Sequence, residues 1–330
     1  RIVTAVERLL KICDRLESLN KERNKLQERT NHAINLAVAK AQGRVEFQKA
    51  WNRFYQSYRY TCDSQSSLQD LKHLINYLHV RGITQTNEEL TRPLEVADKS
   101  ITIPDSWQWT NLAELKEYIT SGSRGWKKYF FNTGDIFIQS QDIKNDNLEF
   151  TQKKFVSLPN NVEGKRTLTQ ESDLLITITG ANVGRCAVMP KIDEAAYVSQ
   201  HIALVRLIEP SSAAFLHLWI TNNYGGRLLL LGMSYGDKPG LNLSQISMLP
   251  VPLPPQKEIA EQVVIAAQQL SVICAELEGL ITKRIRLGSR LLKSSVQAND
   301  RNGNQPERNH ESTKNRNHHR TLYKPYTRQL

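Results

Sequence analysis

The two ends of this 330-residue chain carry the same stretch of sequence, and that repeat limits the possible folds more than any other feature. Residues 2–29 read IVTAVERLLKICDRLESLNKERNKLQER, and residues 263–290 read VVIAAQQLSVICAELEGLITKRIRLGSR. At an offset of 261, Val3/Val264, Ala5/Ala266, Leu9/Leu270, Ile12/Ile273, Cys13/Cys274, Leu16/Leu277, Glu17/Glu278, Leu19/Leu280, Arg23/Arg284, Leu26/Leu287 and Arg29/Arg290 are identical without a gap. In the second copy Ile259, Val263, Ala266, Leu270, Ile273, Leu277, Leu280 and Leu287 follow alternating steps of three and four, and Ile2, Ala5, Leu9, Ile12, Leu16, Leu19 and Leu26 do so in the first. That is the 3.5-residue seam of a coiled coil. A seam this narrow needs a similar helix as partner, and the simplest partner is the other copy in the same chain. A helix of about 30 residues spans roughly 45 Å, so the pair is expected to form a long antiparallel spacer. The predicted interface is Leu9, Ile12, Leu16, Leu19 and Arg23 against Leu270, Ile273, Leu277, Leu280 and Arg284. The two arginines either mark register, because a charge in a seam must be paired or snorkel, or reach solvent at the rim.

Charge is distributed unevenly. The formal net charge is +11. Residues 1–60 carry +7, residues 61–256 carry −2, residues 257–297 carry +2 and residues 298–330 carry +4. Basic ends suit an acidic partner, most simply a polyanion, although long basic helices can also just be solvated. A near-neutral middle that touches nucleic acid must do so through a few well-placed groups. No run reaches the ~18 apolar residues of a membrane span, and no charged-then-apolar leader opens the chain. Cys13, Cys62, Cys186 and Cys274 are far apart with no CxxC pair, which excludes a zinc ribbon or disulfide framework and fits a cytoplasmic, reducing setting. The first residue is Arg rather than Met, as in a chain that starts inside a longer reading frame.

Five segments follow from the pattern: a long helix over 1–40, a helical segment and linker over 41–104, a globular domain over 105–255, a second long helix over 256–297 and a polar, basic, disordered tail over 298–330. Phe47, Trp51, Phe54 and Tyr58 lie at helical spacing and read as core. Leu68, Leu71, Leu74, Ile75 and Leu78 make another helix, with Gly82 as its stop. Residues 84–104 read as linker. Short apolar runs at 135–138, 174–179, 186–189 and 202–207 alternate with Gly, Asn and Asp turns and read as strands. A helix is expected over 212–222, capped by Ser211 or Ser212. Pro250, Pro252, Pro254 and Pro255 are expected to break structure before the last helix. The globular part is therefore α+β. A unit of domain plus following helix would place another domain before residue 1.

Several segments, in this order, resemble the specificity (S) subunit of type I restriction-modification enzymes. They are residues 12–17 (ICDRLE), 71–84 (LKHLINYLHVRGIT), 107–109 (WQW), 172–185 (SDLLITITGANVGR), 199–201 (SQH) and 249–256 (LPVPLPPQ). The resemblance covers roughly 1–30 and 66–295. It implies a target-recognition domain with a twisted mixed sheet, flanked by two conserved antiparallel helices and reading one half of a bipartite DNA target. It also implies no catalytic residues and no cofactor on this chain. S-adenosylmethionine would reside on modification subunits that methylate adenine, and ATP and Mg on the restriction subunit that translocates and cleaves. The implied partners are double-stranded DNA, modification and restriction subunits, and a second copy if the chain is a half-subunit. The first recognition domain of the family pattern is absent here. A non-catalytic coiled-coil scaffold that recruits a methyltransferase without DNA specificity is the alternative.

Recognition of DNA needs donors and acceptors on loops entering a groove, with cations at phosphates. Three loops qualify. Residues 120–128 (TSGSRGWKK) offer Ser121, Ser123, Arg124, Trp126, Lys127 and Lys128, with Trp126 free to pack on sugar or base. Residues 179–185 (TGANVGR) offer Thr179, Asn182 and Arg185 beside two glycines that let backbone N–H groups approach a phosphate. This loop lacks the Lys-Ser/Thr of a nucleotide-hydrolysing P-loop. Residues 232–240 (GMSYGDKPG) offer Tyr235 and Lys238. Gln200 suits bidentate reading of adenine, and His201 reads equally well as structural. No Asp/Asn-Pro-Pro-Tyr/Phe methyltransferase motif, HxxxH pair or serine nucleophile elbow occurs. Cys13 and Cys274 share a helical slot and read as packing residues.

Overall fold

Both copies of the repeat fold as long helices. The structure, a computed structural model, describes residues 2–303 apart from 62–63, 87, 97–98, 123, 151, 160–163 and 235–239. It leaves aside the side chains of 58–61, 95–96, 99–100, 292 and 295–303. The chain forms two units, Arg1–Ile281 and Thr282–Leu330.

In the first unit, α1 (Ile2–Lys40) packs only near its C-terminal end. Asn31, Asn35, Val38 and Ala39 are buried, whereas every side chain from Ile2 to Leu26 is exposed. α2 (Gly43–Thr61) and α3 (Gln65–Val80) cover the buried part, and Asn35 Nδ2–H donates to Asp70 Oδ2 at 3.4 Å. The aromatic stripe is core as expected: Phe54 is buried, and Phe47, Trp51 and Phe54 stack in succession at 6.0 and 5.1 Å. Tyr58 lies outside the described side chains. Ser64 and Ser67 cap α3 reciprocally, and the chain leaves the helix at Gly82, the expected stop, with φ +75°.

Part of the expected linker is instead a hairpin, β1 (Arg92–Val96) and β2 (Lys99–Ile103). The alternation of Ile101 and Ile103, both buried, is a strand signal too short to stand out in a polar stretch. Arg81 ties this hairpin to the helices. Its buried guanidinium donates to Thr102 O (2.8 Å), Thr102 Oγ1 (2.8 Å) and Ala39 O (2.9 Å), and lies 5.0 Å from the Tyr77 ring centre.

Then follow β3 (Gln108–Asn111), α4 (Leu112–Leu115), β4 (Lys116–Ser121), β5 (Phe130–Phe131), β6 (Asp135–Ile138), β7 (Ile143–Lys144), β8 (Asn147–Leu148), β9 (Phe155–Val156), β10 (Leu174–Thr177), β11 (Cys186–Val188), β12 (Ala196–Val198), β13 (Ile202–Leu207), α5 (Ala213–Ile220), α6 (Gly226–Gly232), α7 (Leu243–Ser247), β14 (Pro250–Leu253) and α8 (Lys257–Gly303). All four strand predictions are found. The mixed sheet is two sheets: antiparallel β11-β10-β13-β4, and β12-β6-β9-β5, in which β12 and β6 run parallel. α5 starts after a 3₁₀ turn at Pro210–Ser212. Ser212 is not a side-chain cap, because its hydroxyl donates back to Glu209 O at 2.6 Å. The first two of the four prolines lie in a strand, since β14 pairs with β3. Pro250 and Pro252 are two apart, so both missing donors fall on one edge and leave the other free to pair.

β10 and β13 are buried on both faces. Leu174, Ile176, Ala203, Val205 and Leu207 belong to the core under α5 and α6, and Leu175, Ile202 and Leu204 to the core against the second sheet with Ile136, Ile138 and Val198. The α3 region joins the first core, where the rings of Tyr77 and Trp219 stack at 6.4 Å.

The expected pairing of the repeat helices within the chain is not made. Leu9, Ile12, Leu16 and Leu19 are 61%, 48%, 60% and 52% exposed, and Ile273, Leu277 and Leu280 are 53%, 41% and 61% exposed. Leu270 is half-buried, and Arg23 and Arg284 are exposed. The globular unit instead takes the start of the α8 seam, burying Val263, together with the neighbouring positions Ala267 and Cys274, while Gln69 on α3 hydrogen-bonds Glu278. The later seam residues Ile273, Leu277 and Leu280 are turned away from that contact. Cys274 packs as expected and burial pushes its thiol pKa up, but Cys13 in the same slot is exposed. The second unit continues α8 to Gly303, helical beyond the expected start of the tail, and residues 304–330 lie outside the described ones. No long apolar run was evident in the sequence, yet the stretch Lys257–Leu291 is long and apolar enough to cross a membrane, with hydropathy 1.4. The burial of Val263, Ala267 and Cys274 gives part of that apolarity a packing role.

Replacing Arg81 by Met is expected to leave three buried acceptors unpaired and to cost about 3 kcal/mol, read as a lower denaturant midpoint at unchanged slope.

Candidate nucleic-acid interface

The strand order places the ends of β4, β13 and β10 side by side, and that adjacency brings distant loops together. Ser121 pairs with Ala203, and Thr177 with Ile202. Beyond these pairs, Gly122 passes so close to the 198–201 turn that a Cβ there would lie 2.0 Å from Val198 O and 2.2 Å from Ser199 C. Only glycine allows that approach.

Within the 179–185 turn, Gly180 and Gly184 take φ +93° and +80°, and Gly184 N–H donates to Thr177 O at 2.9 Å. The third loop is anchored to this turn at its base. Gly240 bridges Thr179, and Leu241 N–H donates to Ile178 O at 2.9 Å.

The predicted residues divide as follows. Thr179 is exposed, and Asn182, Arg185, Gln200 and Ser121 are half-buried. Thr179, Gln200 and Ser121 lie at the shared strand end. Arg185 closes the second turn, its N–H donating to Asn182 O at 3.1 Å and its O accepting from Thr177 N–H at 2.8 Å. Arg124, Lys127 and Lys128 are exposed, and Lys128 Nζ lies 4.9 Å from the Tyr129 ring centre. Trp126 is a correction. A 3₁₀ turn at Trp126–Tyr129 points it inward, where it is buried against Phe137 (5.9 Å) and edge-on to Tyr197 (5.6 Å), so it offers no face to a ligand. Ser123, Tyr235 and Lys238 lie outside the described residues.

One contributor, Arg166, was not singled out from the sequence, and a second, His201, was left open between a functional and a structural role. The exposed Arg166 donates through its NH1 group to Ser121 O at 2.7 Å and to Thr120 Oγ1, fixing the start of the first loop from 45 residues away. Two adjacent cations, Lys165 and Arg166, were the only local signal. His201 bridges two of the predicted residues: its Nδ1 lies 2.5 Å from Thr179 Oγ1, and its Nε2 lies 3.1 Å from Gln200 Nε2. Arginine and lysine groups beside hydroxyl, amide and imidazole groups can neutralise phosphates and pair with base edges.

Comparison with solved structures gives the class of fold. A chain from a structure concerning complex assembly and conformational transition of the type I R-M system is similar over 74% of this chain and 54% of its own length, with TM-score 0.51 and 17% identity. The HsdS subunit from Thermoanaerobacter tengcongensis gives TM-score 0.47 and 17% identity over 81% of this chain and 57% of that one. The type I restriction-modification S subunit from M. genitalium gives TM-score 0.37 and 13% identity over 57% and 45%. At 17% identity and TM-score 0.51 the first of these likenesses is one of fold alone, and this chain spans about half the length of the first two matched chains. No protein-family model matches the chain, and no curated protein does.

Gly122→Ala is expected to push the first loop off the 198–201 turn and to destabilise by about 1–3 kcal/mol. Faster amide exchange confined to these two segments would register the displacement.

Proposed function

We propose that the chain is a sequence-specific DNA-binding specificity subunit of a type I restriction-modification complex, reading one half of a bipartite target. One observation carries this reading: loops from three separate stretches meet at one end of β4, β13 and β10 and present Thr179, Asn182, Arg185 and Gln200, with Arg166 tied to the start of the first loop, which carries the exposed Arg124, Lys127 and Lys128. The likeness of fold supports the class of protein. On this reading the chain has no catalytic role. Adenine methylation with S-adenosylmethionine belongs to modification subunits, and ATP- and Mg-dependent cleavage to a restriction subunit. The DNA site works by placement, because residues 61–256 carry −2 overall.

The open seams on α1 and α8 support a role in assembly. They are apolar, matched by the repeat, and exposed in the single chain from Leu9 to Leu26 on α1 and from Ile273 to Leu280 on α8. Modification subunits are the proposed occupants, with a second copy supplying the complementary helix if the chain acts as a half-subunit. Leu16→Glu or Leu277→Glu is expected to abolish co-sedimentation with the modification subunit, or the concentration-dependent dimer, while leaving the thermal midpoint of the chain within about 2 °C, since both positions are exposed. An unchanged assembly would exclude the seam.

The test of the DNA reading is selection from a pool of randomised duplexes, with the modification subunit present. A consensus half-site is expected. Arg185→Ala or Asn182→Ala should then relax preference at single positions by about 1–3 kcal/mol. Lys127→Ala or Lys128→Ala should weaken every duplex alike and reduce the salt slope by about one unit each. Affinity that never depends on sequence would favour a scaffold without DNA specificity.

A further inference from the structure

Resting on the DNA-reading proposal, we infer that His201 is a positioning residue that couples Thr179 and Gln200 into one base-reading unit, set to meet the major-groove edge of adenine. The argument is hydrogen-bond bookkeeping on one ring. A neutral imidazole has one N–H donor and one bare nitrogen acceptor. Gln200 Nε2 lies 3.1 Å from His201 Nε2, and an amide nitrogen can only donate. The ring Nε2 must therefore accept, which places the proton on Nδ1. Nδ1–H then donates to Thr179 Oγ1, 2.5 Å away, and the Thr179 hydroxyl hydrogen turns outward.

The consequence is a fixed polarity at two residues 21 positions apart in sequence. Gln200 keeps its Oε1 acceptor and its second N–H, the pair that matches adenine N6–H and N7. Thr179 presents a donor to an acceptor on the neighbouring base. Turning the Gln200 amide over would invert the chain of bonds: Oε1 would accept from Nε2–H, Nδ1 would accept from the Thr179 hydroxyl, and Thr179 could then only accept from a base. The ring therefore prevents the two readers from choosing their polarity independently. Its backbone is held at both ends, with Ile178 N–H donating to His201 O at 2.9 Å and Ile202 N–H donating to Ser199 O at 3.0 Å. Thr179 and His201 are exposed and Gln200 is half-buried, so the unit can be reached by a duplex.

The experiment is a double-mutant cycle on the duplex selected by the full chain with the modification subunit. Affinities are measured for Thr179→Val, Gln200→Ala and the double variant, each with His201 and with His201→Phe. With His201, Gln200→Ala is expected to lose about 5- to 100-fold of the preference for A·T at one position. The double variant should lose less than the product of the single losses by about threefold or more. With His201→Phe the losses should multiply without coupling. If His201→Phe does not fold, His201→Gln, which retains a donor and an acceptor, replaces it and should keep part of the coupling. Coupling that persists with Phe, coupling absent with His, or a Gln200 effect at a G·C position would each overturn the inference and leave the DNA reading standing. A chain that selects no sequence at all would overturn the DNA reading and the inference with it.

Discussion

β10 and β13 have no face toward water, and the rest of the globular unit is arranged around that constraint. Leu174, Leu175, Ile176, Ile202, Ala203, Leu204 and Val205 are each 0% exposed, with alternate residues pointing into two different cores. A strand buried on one side could slip by two residues and keep its apolar face; a strand buried on both is held by two independent packings. Each large aliphatic side chain buried this way contributes about 1.5–3 kcal/mol. The register at the strand ends is therefore stiff, and the turns at 179–185 and 198–201 start from fixed points. Loops set on such strands can hold donors and acceptors to the tolerance that base reading needs.

One half-buried arginine and one buried arginine solve the problem of a charge in that interior in different ways. Arg206 is paired: its Nε and NH2 groups donate to Asp173 at 2.9 and 2.7 Å, and it lies 4.9 Å from the Tyr118 ring centre. Hydrogen bonding and attraction to Asp173 outweigh burial and raise its pKa. This pair clamps β13 to the start of β10, opposite the loop end. Arg81 makes its hydrogen bonds to two carbonyls and a hydroxyl, and burial lowers its pKa, partly offset by Tyr77. Its bonds run to two elements, β2 and α1, so from the end of α3 it ties the hairpin to the end of α1.

The repeat, the four apolar strands, the aromatic core stripe and the Gly82 stop were legible because each is a local pattern. What escaped was non-local. The seam was read correctly as an apolar stripe, but its spacing cannot say whether the covering helix belongs to the same chain. The β3–β14 pairing joins residues about 140 positions apart, so the prolines of β14 looked like breakers. Trp126 sits between Gly125 and two lysines, a context that reads as a flexible exposed loop, and only the cavity formed by Phe137 and Tyr197 turns it inward. Gln200 could be proposed from residue chemistry alone. The link through His201 to Thr179 depends on the pairing of β10 with β13, which no local window contains.

The unequal surroundings of the two repeat copies separate two roles within one sequence pattern. Val263, Ala267 and Cys274 are covered by the globular unit, while Ile2, Val6 and Cys13, at the same repeat positions, are exposed. One helix face is thus fitted for packing on a domain; it shares Val263 with the seam, whose later residues Ile273, Leu277 and Leu280 are exposed. Cysteine at 13 and 274 belongs to the domain-facing side, which is why its burial tracks the presence of a globule and not the seam. The proposed assembly through the seam and the proposed reading through the loops therefore draw on different residues of the first unit. A change in Leu16 or Leu277 leaves the β10–β13 strand ends untouched, and a change in Gln200 leaves both seams untouched, so the two activities can be separated by single substitutions.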